Sequence, residues 1–332
     1  MLAFIARRLL IMIPTLWLVS IVSFIIIELP PGDIATTIVG RMQAAGEELS
    51  ADEIRAMTEN LRVSYGYGEP LPVRYGRWIS RFVRGDFGFS LTYRKPVRQL
   101  IDGRIALTAL ISVVTILLAS SVSWPVGVGA AIRQYSLFDN LFSFVAFFMM
   151  AVPNFLFALV LIFLAFRWFG FVPGGLFSLE YIDQPFSFAK FLDFLAHIWV
   201  PLVVLGWEAL GSEIRVIRAN VLDQLRMPFV TTARAKGVPE TRLLIKYPIR
   251  MAANPWVASI SWRLPAVFSG EVLVAQVVGI PTIGPLMLEG LLKQDMFLAG
   301  AVVMILAALT VVGTLISDLL LAVLDPRIRL QR

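Results

Sequence analysis

The sequence predicts an all-α membrane protein that crosses the bilayer several times. Three observations carry that expectation. Of the 332 residues, 58% are hydrophobic and 16% charged, whereas a soluble domain is nearer one quarter charged. The mean hydropathy is +0.79. Six apolar runs can be drawn, at residues 9–29, 105–132, 141–166, 198–217, 255–280 and 296–324. Each is about 20 residues or longer, enough to cross the hydrocarbon core as a helix.

The first run follows Arg7 and Arg8. It is too long for a signal-peptide core, and no small-x-small site closes it, so it reads as an uncleaved helix with its N-terminus inside. Arg133 lies between the second and third runs, and Arg327, Arg329 and Arg332 follow the sixth. Residues 215–250 hold eight basic and two acidic residues. By the positive-inside rule these segments, and both termini, are expected in the cytoplasm.

Residues 30–104 carry eleven basic and nine acidic residues. Long loops translocate largely regardless of charge, so this segment is expected outside. Ser50 and Glu53 have the spacing of a capping box that opens a helix toward Arg62. Tyr75, Trp78, Ile79, Phe82 and Val83 recur at helical spacing, a stripe expected to pack on the outer face of the protein.

The third run contains Pro153-Asn154. A kink and a site where the helix opens toward a substrate are both compatible with it. Ahead of the fourth run, Phe188, Phe191, Leu192 and Leu195 oppose Lys190 and Asp193, which suits a short helix in the outer interface. His197 reads as an interfacial hydrogen-bonding residue. Arg215 and Arg218 read as side chains that snorkel to headgroups.

Between the fourth and fifth runs lies FVTTARAKGVPETRLLIKYP, residues 229–248. Pro228 suits the first turn of a helix, Gly237 the left-handed residue that ends one, and Pro239 the start of another. The expected shape is helix, sharp turn, helix. It carries Arg234, Lys236, Arg242 and Lys246, and it cannot cross a bilayer.

Several function classes are excluded by composition. There are no cysteines, so disulfides and thiolate sites are absent. One histidine cannot build a histidine metal cluster. None of the five lysines follows a glycine, so the chain has no phosphate loop of the GxxxxGK[ST] kind. No carboxylate pair or Ser–His–Asp set argues for catalysis. A sequence pI near 9.8 is accounted for by loop charge, and no motif supports nucleic-acid binding.

The 229–248 stretch resembles the EAA loop of ABC-transporter permeases. Thr231, Thr232, Ala233 and Gly237 stand at the positions of that motif, and TARAKG (232–237) is similar to the dipeptide/oligopeptide/nickel branch. Phe229 stands where tyrosine is common. The resemblance continues through LPPGD (29–33), RGDFGFS (84–90), Pro96-Val97, HIWVP (197–201), SGEVLVAQVVGIPTIG (269–284) and DPRIR (325–329). In the 269–284 segment Ala275 replaces a usual glutamate, and Pro281-Thr282 a usual Pro-Gly.

The resemblance implies the six-helix type I importer permease fold, with an extracytoplasmic insertion after the first helix. Residues 1–104 would form the first helix and that insertion. Residues 105–332 would form the permease core, with a coupling loop at 226–250. It also implies a multi-pass protein of the bacterial inner membrane that moves a small solute, peptide or oligosaccharide, by alternating access. The implied partners are a second, different permease, two ATP-binding subunits, an extracytoplasmic solute-binding protein and the lipid bilayer, with no nucleic acid. ATP and Mg would be held by the ATPase subunits, with no cofactor on this chain. Thr231, Thr232, Ala233, Arg234, Ala235, Lys236, Gly237 and Val238 would dock on the ATPase. Ala233 and Ala235 would allow close approach, and Arg234 and Lys236 would pair with acidic groove residues. An ion-coupled secondary transporter is the alternative, and a scaffold protein without solute flux is a third class.

Charges inside the apolar runs cost about 2.5–3.5 kcal/mol each at a helix centre. Glu208, Glu213, Arg263, Glu271 and Asp318 therefore need partners or water. Pairing with other helices and lining a pathway both remain open, with pairing favoured for Asp318. Pro153, Asn154, Glu208, Arg263, Glu271 and Gln276 form the candidate pathway set.

Overall fold

The computed structural model describes residues 2–28, 40, 50–65, 69–90, 92–170 and 174–324. The motifs at 29–33 and 325–329 and the side chain of Glu271 lie outside the described residues. Nearly all described structure is helical. Four helices are long and apolar enough to cross a membrane, or up to six if each of two bent helix pairs is one span. The chain divides into two compact units.

The first unit comprises Met1–Leu10, Arg104–Pro285 and Leu309–Arg332. Its centre is the pairing of two long helices, α5 (Arg104–Ile132) and α8 (Phe188–Leu225). Along α5 the buried positions Thr108, Ser112, Thr115, Ala119, Ser123 and Gly127 recur every three or four residues. Small residues at that spacing let helix backbones approach closely in lipid. A Cβ at Gly127 would stand 2.9 Å from Ile217 Cβ and 3.0 Å from the Ile214 carbonyl oxygen of α8. The outward faces stay apolar, as at Leu117, Phe144 and Phe163, which suits contact with acyl chains.

Three features of this unit differ from the sequence expectations. The third run is broken rather than kinked: α6 (Leu137–Ala151) and α7 (Asn154–Phe169) diverge by 101°. Pro153 lacks an N–H and, at φ −57° and ψ 135°, is extended at the start of α7. The second correction is that residues 188–195 form no separate interfacial helix. They are the first turns of α8, which runs 38 residues or about 57 Å. Lys190 is buried: its Nζ donates to the carbonyls of Ile182 and Gln184. Asp193 accepts from the Ser178 N–H and hydroxyl, so both residues tie down the preceding loop. His197 Nδ1–H donates to the Asp193 carbonyl at 2.8 Å. Third, α11 (Arg250–Val278) stops at Gly279, whose φ of +76° is the left-handed C-terminal signal. The next helix, α12 (Ile283–Leu292), starts after a four-residue break, so the fifth run does not continue as one straight helix.

The second unit comprises Ile11–Gly103 and Leu286–Ala308. Helix α2 (Ala51–Tyr65) opens on the expected capping box: the Ser50 N–H donates to Glu53 and the Glu53 N–H to Ser50 Oγ. These bonds hold the Glu53 carboxyl below its ordinary range. Helix α3 (Leu71–Val83) lays its aromatic stripe on α1 (Leu2–Glu28). Tyr75 and Trp78 stand 5.6 and 5.8 Å from Phe24, and Arg74 pairs with Glu28 at 2.6 Å. A two-residue hairpin, Phe89–Ser90 with Lys95–Pro96, leads into α4 (Val97–Ile101). Asp295, fully buried, accepts from Ser90 Oγ, the Thr92 N–H and the Leu298 N–H, and so opens α13 (Met296–Leu324).

Candidate functional site

Both candidate site regions lie in the first unit. The basic elbow is helix α9 (Pro228–Ala235), a turn, helix α10 (Glu240–Leu244), and one π-helical turn (Ile245–Ile249) that runs into α11. The π turn contains Pro248, whose missing N–H cannot close an ordinary helical bond.

The turn is a Schellman motif. The Val238 N–H donates to the Ala233 carbonyl, and the Gly237 N–H to the Arg234 carbonyl. Gly237 has φ +73°, a conformation that costs other residues about 1–2 kcal/mol. Val230, Ala233 and Leu243 form a buried cluster with Val238, Leu244 and Tyr247 packed on it. The elbow therefore has its own small core and its own stop signal.

This core corrects one expectation. Ala233 is buried inside the elbow, so it permits close packing of α9 on α10 rather than on an outside partner. Ala235 is exposed. Arg234 also differs: its Nη2 and Nε donate to Glu240 at 2.6 and 3.2 Å, across the turn. The pairing holds the Glu240 carboxyl below its usual range and raises Arg234. Thr231 and Thr232 both donate through their hydroxyls to the Pro228 carbonyl. Lys236, Arg242 and Lys246 are exposed, and no acidic side chain pairs with them among the described residues.

Above the elbow, α5, α8 and α11 pack through Ala131, Ile217, Val221 and Ala252, with Trp124 edge-on to Trp256 at 5.7 Å. Next to this core is a buried charge cluster. Glu213 on α8 accepts from Ser123 Oγ at 2.6 Å, from Ser120 Oγ at 3.1 Å and from Arg263 of α11. Glu213 is 1% exposed and Arg263 8%. The two intramembrane charges thus neutralise each other between helices, and Arg263 separates from the other pathway candidates.

Those candidates split further. Asn154, at the start of α7, donates its amide to Glu208 Oε2 of α8 at 3.3 Å. Pro153 and Glu208 are exposed beside the break, and Phe157 stacks on Trp207 at 3.9 Å. Gln276 is exposed on α11. Asp318 pairs with Arg8 at 3.1 Å.

Sequence reasoning missed Asp139. It is buried in the first turn of α6, where the Tyr135 N–H donates to it, and it takes both a 2.5 Å and a 2.7 Å bond from Arg218. Arg218 therefore does not snorkel. Arg215 lies over the Phe147 ring at 4.1 Å. The available signal was Ser136-x-x-Asp139, a capping pattern at a helix start. Among the described residues no group of three or more His, Asp or Glu could hold a metal ion.

The profile of the family described as "Binding-protein-dependent transport system inner membrane component" matches residues 123–330. The chain is 34% identical to the oligopeptide transport system permease protein AppB of Bacillus subtilis, with 99% of each chain covered. It is 28% identical to the dipeptide transport system permease protein DppB of Escherichia coli, over 99% of each chain. It is also 28% identical to the oligopeptide transport system permease protein OppB of Salmonella typhimurium, over 99% of this chain and all of that protein.

Proposed function

We infer the role of this protein from one premise: the chain belongs to the family of binding-protein-dependent transport system inner membrane components. It is a multi-pass membrane permease subunit of an importer, and it does not itself catalyse a reaction. No feature of the fold or of its relatives favours an ion-coupled transporter.

We propose that the solute is a peptide. The full-length relatives are named for oligopeptide and dipeptide transport, which supports peptides over oligosaccharides. We further propose that residues 105–332 form the permease core, behind an N-terminal helix and outer region at 1–104. Both termini would be cytoplasmic. A second permease, two ATPase subunits that hold ATP and Mg, and an extracytoplasmic binding protein would complete the importer.

In this reading the elbow is the part the ATPase grips, through Thr231, Thr232, Ala235, Lys236 and Gly237. Ala233 and Val238 hold its shape from within, and the Arg234–Glu240 pair braces it. The observation that carries this is continuity: α8 leads into the elbow across Arg226 and Met227, and the elbow runs through the π turn into α11. A rigid elbow moved by its partner would move both helices together. The break at Pro153, with Asn154 and Glu208 beside it, is the proposed stretch of the solute pathway, and Gln276 and Glu271 stay in the candidate set. Two measurements test the reading. Peptide uptake by the reconstituted importer should require ATP. Deleting residues 231–246 should abolish co-purification with the ATPase while the permease still inserts. Uptake without any ATPase would refute it.

A further inference from the structure

An open apolar groove of about 490 Å³ lies in the second unit, within the usual range for small-ligand sites. It is lined by Leu16 and Trp17 of α1, Ile79 and Phe82 of α3, Phe87 after it, and Met304 of α13. The hydroxyl of Ser20, also on its wall, is engaged by the Trp17 carbonyl and by Tyr75. The groove thus offers mostly hydrocarbon.

Gly85 is part of the groove wall, and a Cβ on Gly85 would lie 3.4 Å from Nη1 of Arg98. Arg84 is the neighbouring residue, and both arginines are exposed. The nearby Asp86 carboxylate is taken by Arg81 at 3.0 Å. Among the described residues no acidic side chain pairs with Arg84 or Arg98. The turn that holds Gly85 also holds Gly88, which abuts Phe297 in the first turn of α13. Met304 is seven residues further, about 10 Å deeper along that helix. The Arg98 guanidinium therefore lies beside the groove wall at Gly85, Arg84 is next to it in the chain, and the apolar walls run along α1 and α13.

We propose that this groove binds an anionic glycerophospholipid, with an acyl chain along Trp17 and Met304 and the phosphate on Arg84 and Arg98. Lipid is what surrounds membrane helices. Guanidiniums that no described acidic side chain takes, beside a hydrocarbon trough, match an amphiphile with one anionic head.

The test uses the whole importer in nanodiscs that contain phosphatidylglycerol or phosphatidylcholine with brominated acyl chains. The contribution of Trp17 is isolated by comparison with Trp17→Phe. Phosphatidylglycerol should quench Trp17 several-fold more strongly than phosphatidylcholine at equal mole fraction. The double variant Arg84→Ser/Arg98→Ser should lose that preference, by about fivefold for each arginine, and keep its phosphatidylcholine quenching. The lipid comparison on the parent protein needs no charge variant, so it stands even if the double variant fails to assemble. Equal quenching by the two lipids would overturn the proposal. So would absence of Trp17 quenching, which would mean that a protein surface covers the groove.

Discussion

Asp139 and Arg218 are 79 residues apart in sequence and joined by two charge-assisted hydrogen bonds of 2.5 and 2.7 Å. Asp139 is almost fully buried, whereas the Arg218 side chain is about a quarter exposed. The bond fixes the start of α6 to α8 only eight residues before α8 passes into the elbow at Arg226. Asp139→Ala should cost about 2–3 kcal/mol, since it strips a buried charge partner and two strong hydrogen bonds. The swap Asp139→Arg/Arg218→Asp should recover less than half of that loss, because the Tyr135 N–H would then meet a cation. Thermal unfolding in detergent checks both.

The Glu213–Arg263 pair is the opposite kind of bond, buried on both sides. Removing one partner leaves an uncompensated charge in a medium that cannot solvate it, so Arg263→Met should destabilise by about 3–5 kcal/mol. Glu213→Met/Arg263→Met should be far milder, because both desolvation penalties disappear together. A double-mutant cycle on thermal unfolding reads the coupling directly. Additive losses would mean that the serines and water, not the pairing, keep Glu213 in place.

Packing between helices sets a third expectation. A Cβ at Gly211 would lie 2.7 Å from the Ala146 carbonyl oxygen and 2.8 Å from Met149 Cβ, both on α6. The obstructing atoms are backbone or close to it, so the helices must separate. Gly211→Ala should cost about 1–3 kcal/mol. Gly206, on the same helix, is the control: its nearest atom is a Thr115 methyl at 3.7 Å. Gly206→Ala should be neutral or slightly stabilising, because alanine is the better helix former. Unfolding temperatures of the two variants compare them.

Features coded within a few residues were legible in the sequence. The capping box at Ser50–Glu53, the stop at Gly237 and the restart at Pro239 are each written in adjacent residues, and each has the expected geometry. Contacts coded across the chain were not legible. No local signal says that Arg218 meets Asp139, or that Arg263 meets Glu213 rather than a water-filled path. The break at Pro153 was visible as a proline, but its 101° bend depends on the helices around it. Likewise, Lys190 and Asp193 looked like the wet face of a short helix, because both are charged. Their partners lie in the irregular loop before them, whose fold no periodicity describes.

At the elbow, Gly237 separates strain from obstruction. A Cβ there would meet nothing within 4 Å, yet φ is +73°. Gly237→Val should therefore cost the left-handed penalty of about 1–2 kcal/mol or more, and Gly237→Asn much less, because asparagine tolerates this region. If the elbow docks on the ATPase as proposed, Gly237→Asp should also place an outward carboxylate on that surface. Uptake would fall while ATP hydrolysis continues. Lys236→Glu should weaken docking more than Arg234→Gln does, since Arg234 is already held by Glu240. Co-purification with the ATPase and the ratio of uptake to hydrolysis measure both; normal uptake in Gly237→Asp would count against the docking role.

The Arg234–Glu240 bond gives the elbow a defined response to pH. Hydrogen bonding from Arg234 lowers the folded-state pKa of the Glu240 carboxyl relative to its ordinary value of 4.5, and Arg234 is raised in turn. The folded elbow therefore prefers the ionised carboxylate more than the unfolded chain does. Its stabilising contribution is fully present above pH 4.5 and is lost as pH falls through the lowered value. Arginine stays charged throughout and adds no second transition. Both groups are solvent-exposed, so salt should weaken the contribution as well. The difference in unfolding temperature between the parent protein and Glu240→Gln should be small and positive at neutral pH. It should shrink in high salt and vanish in acid below the ordinary carboxylate range. A difference that stays constant down to pH 3 would show that Glu240 acts through its shape at the start of α10 and not through its charge.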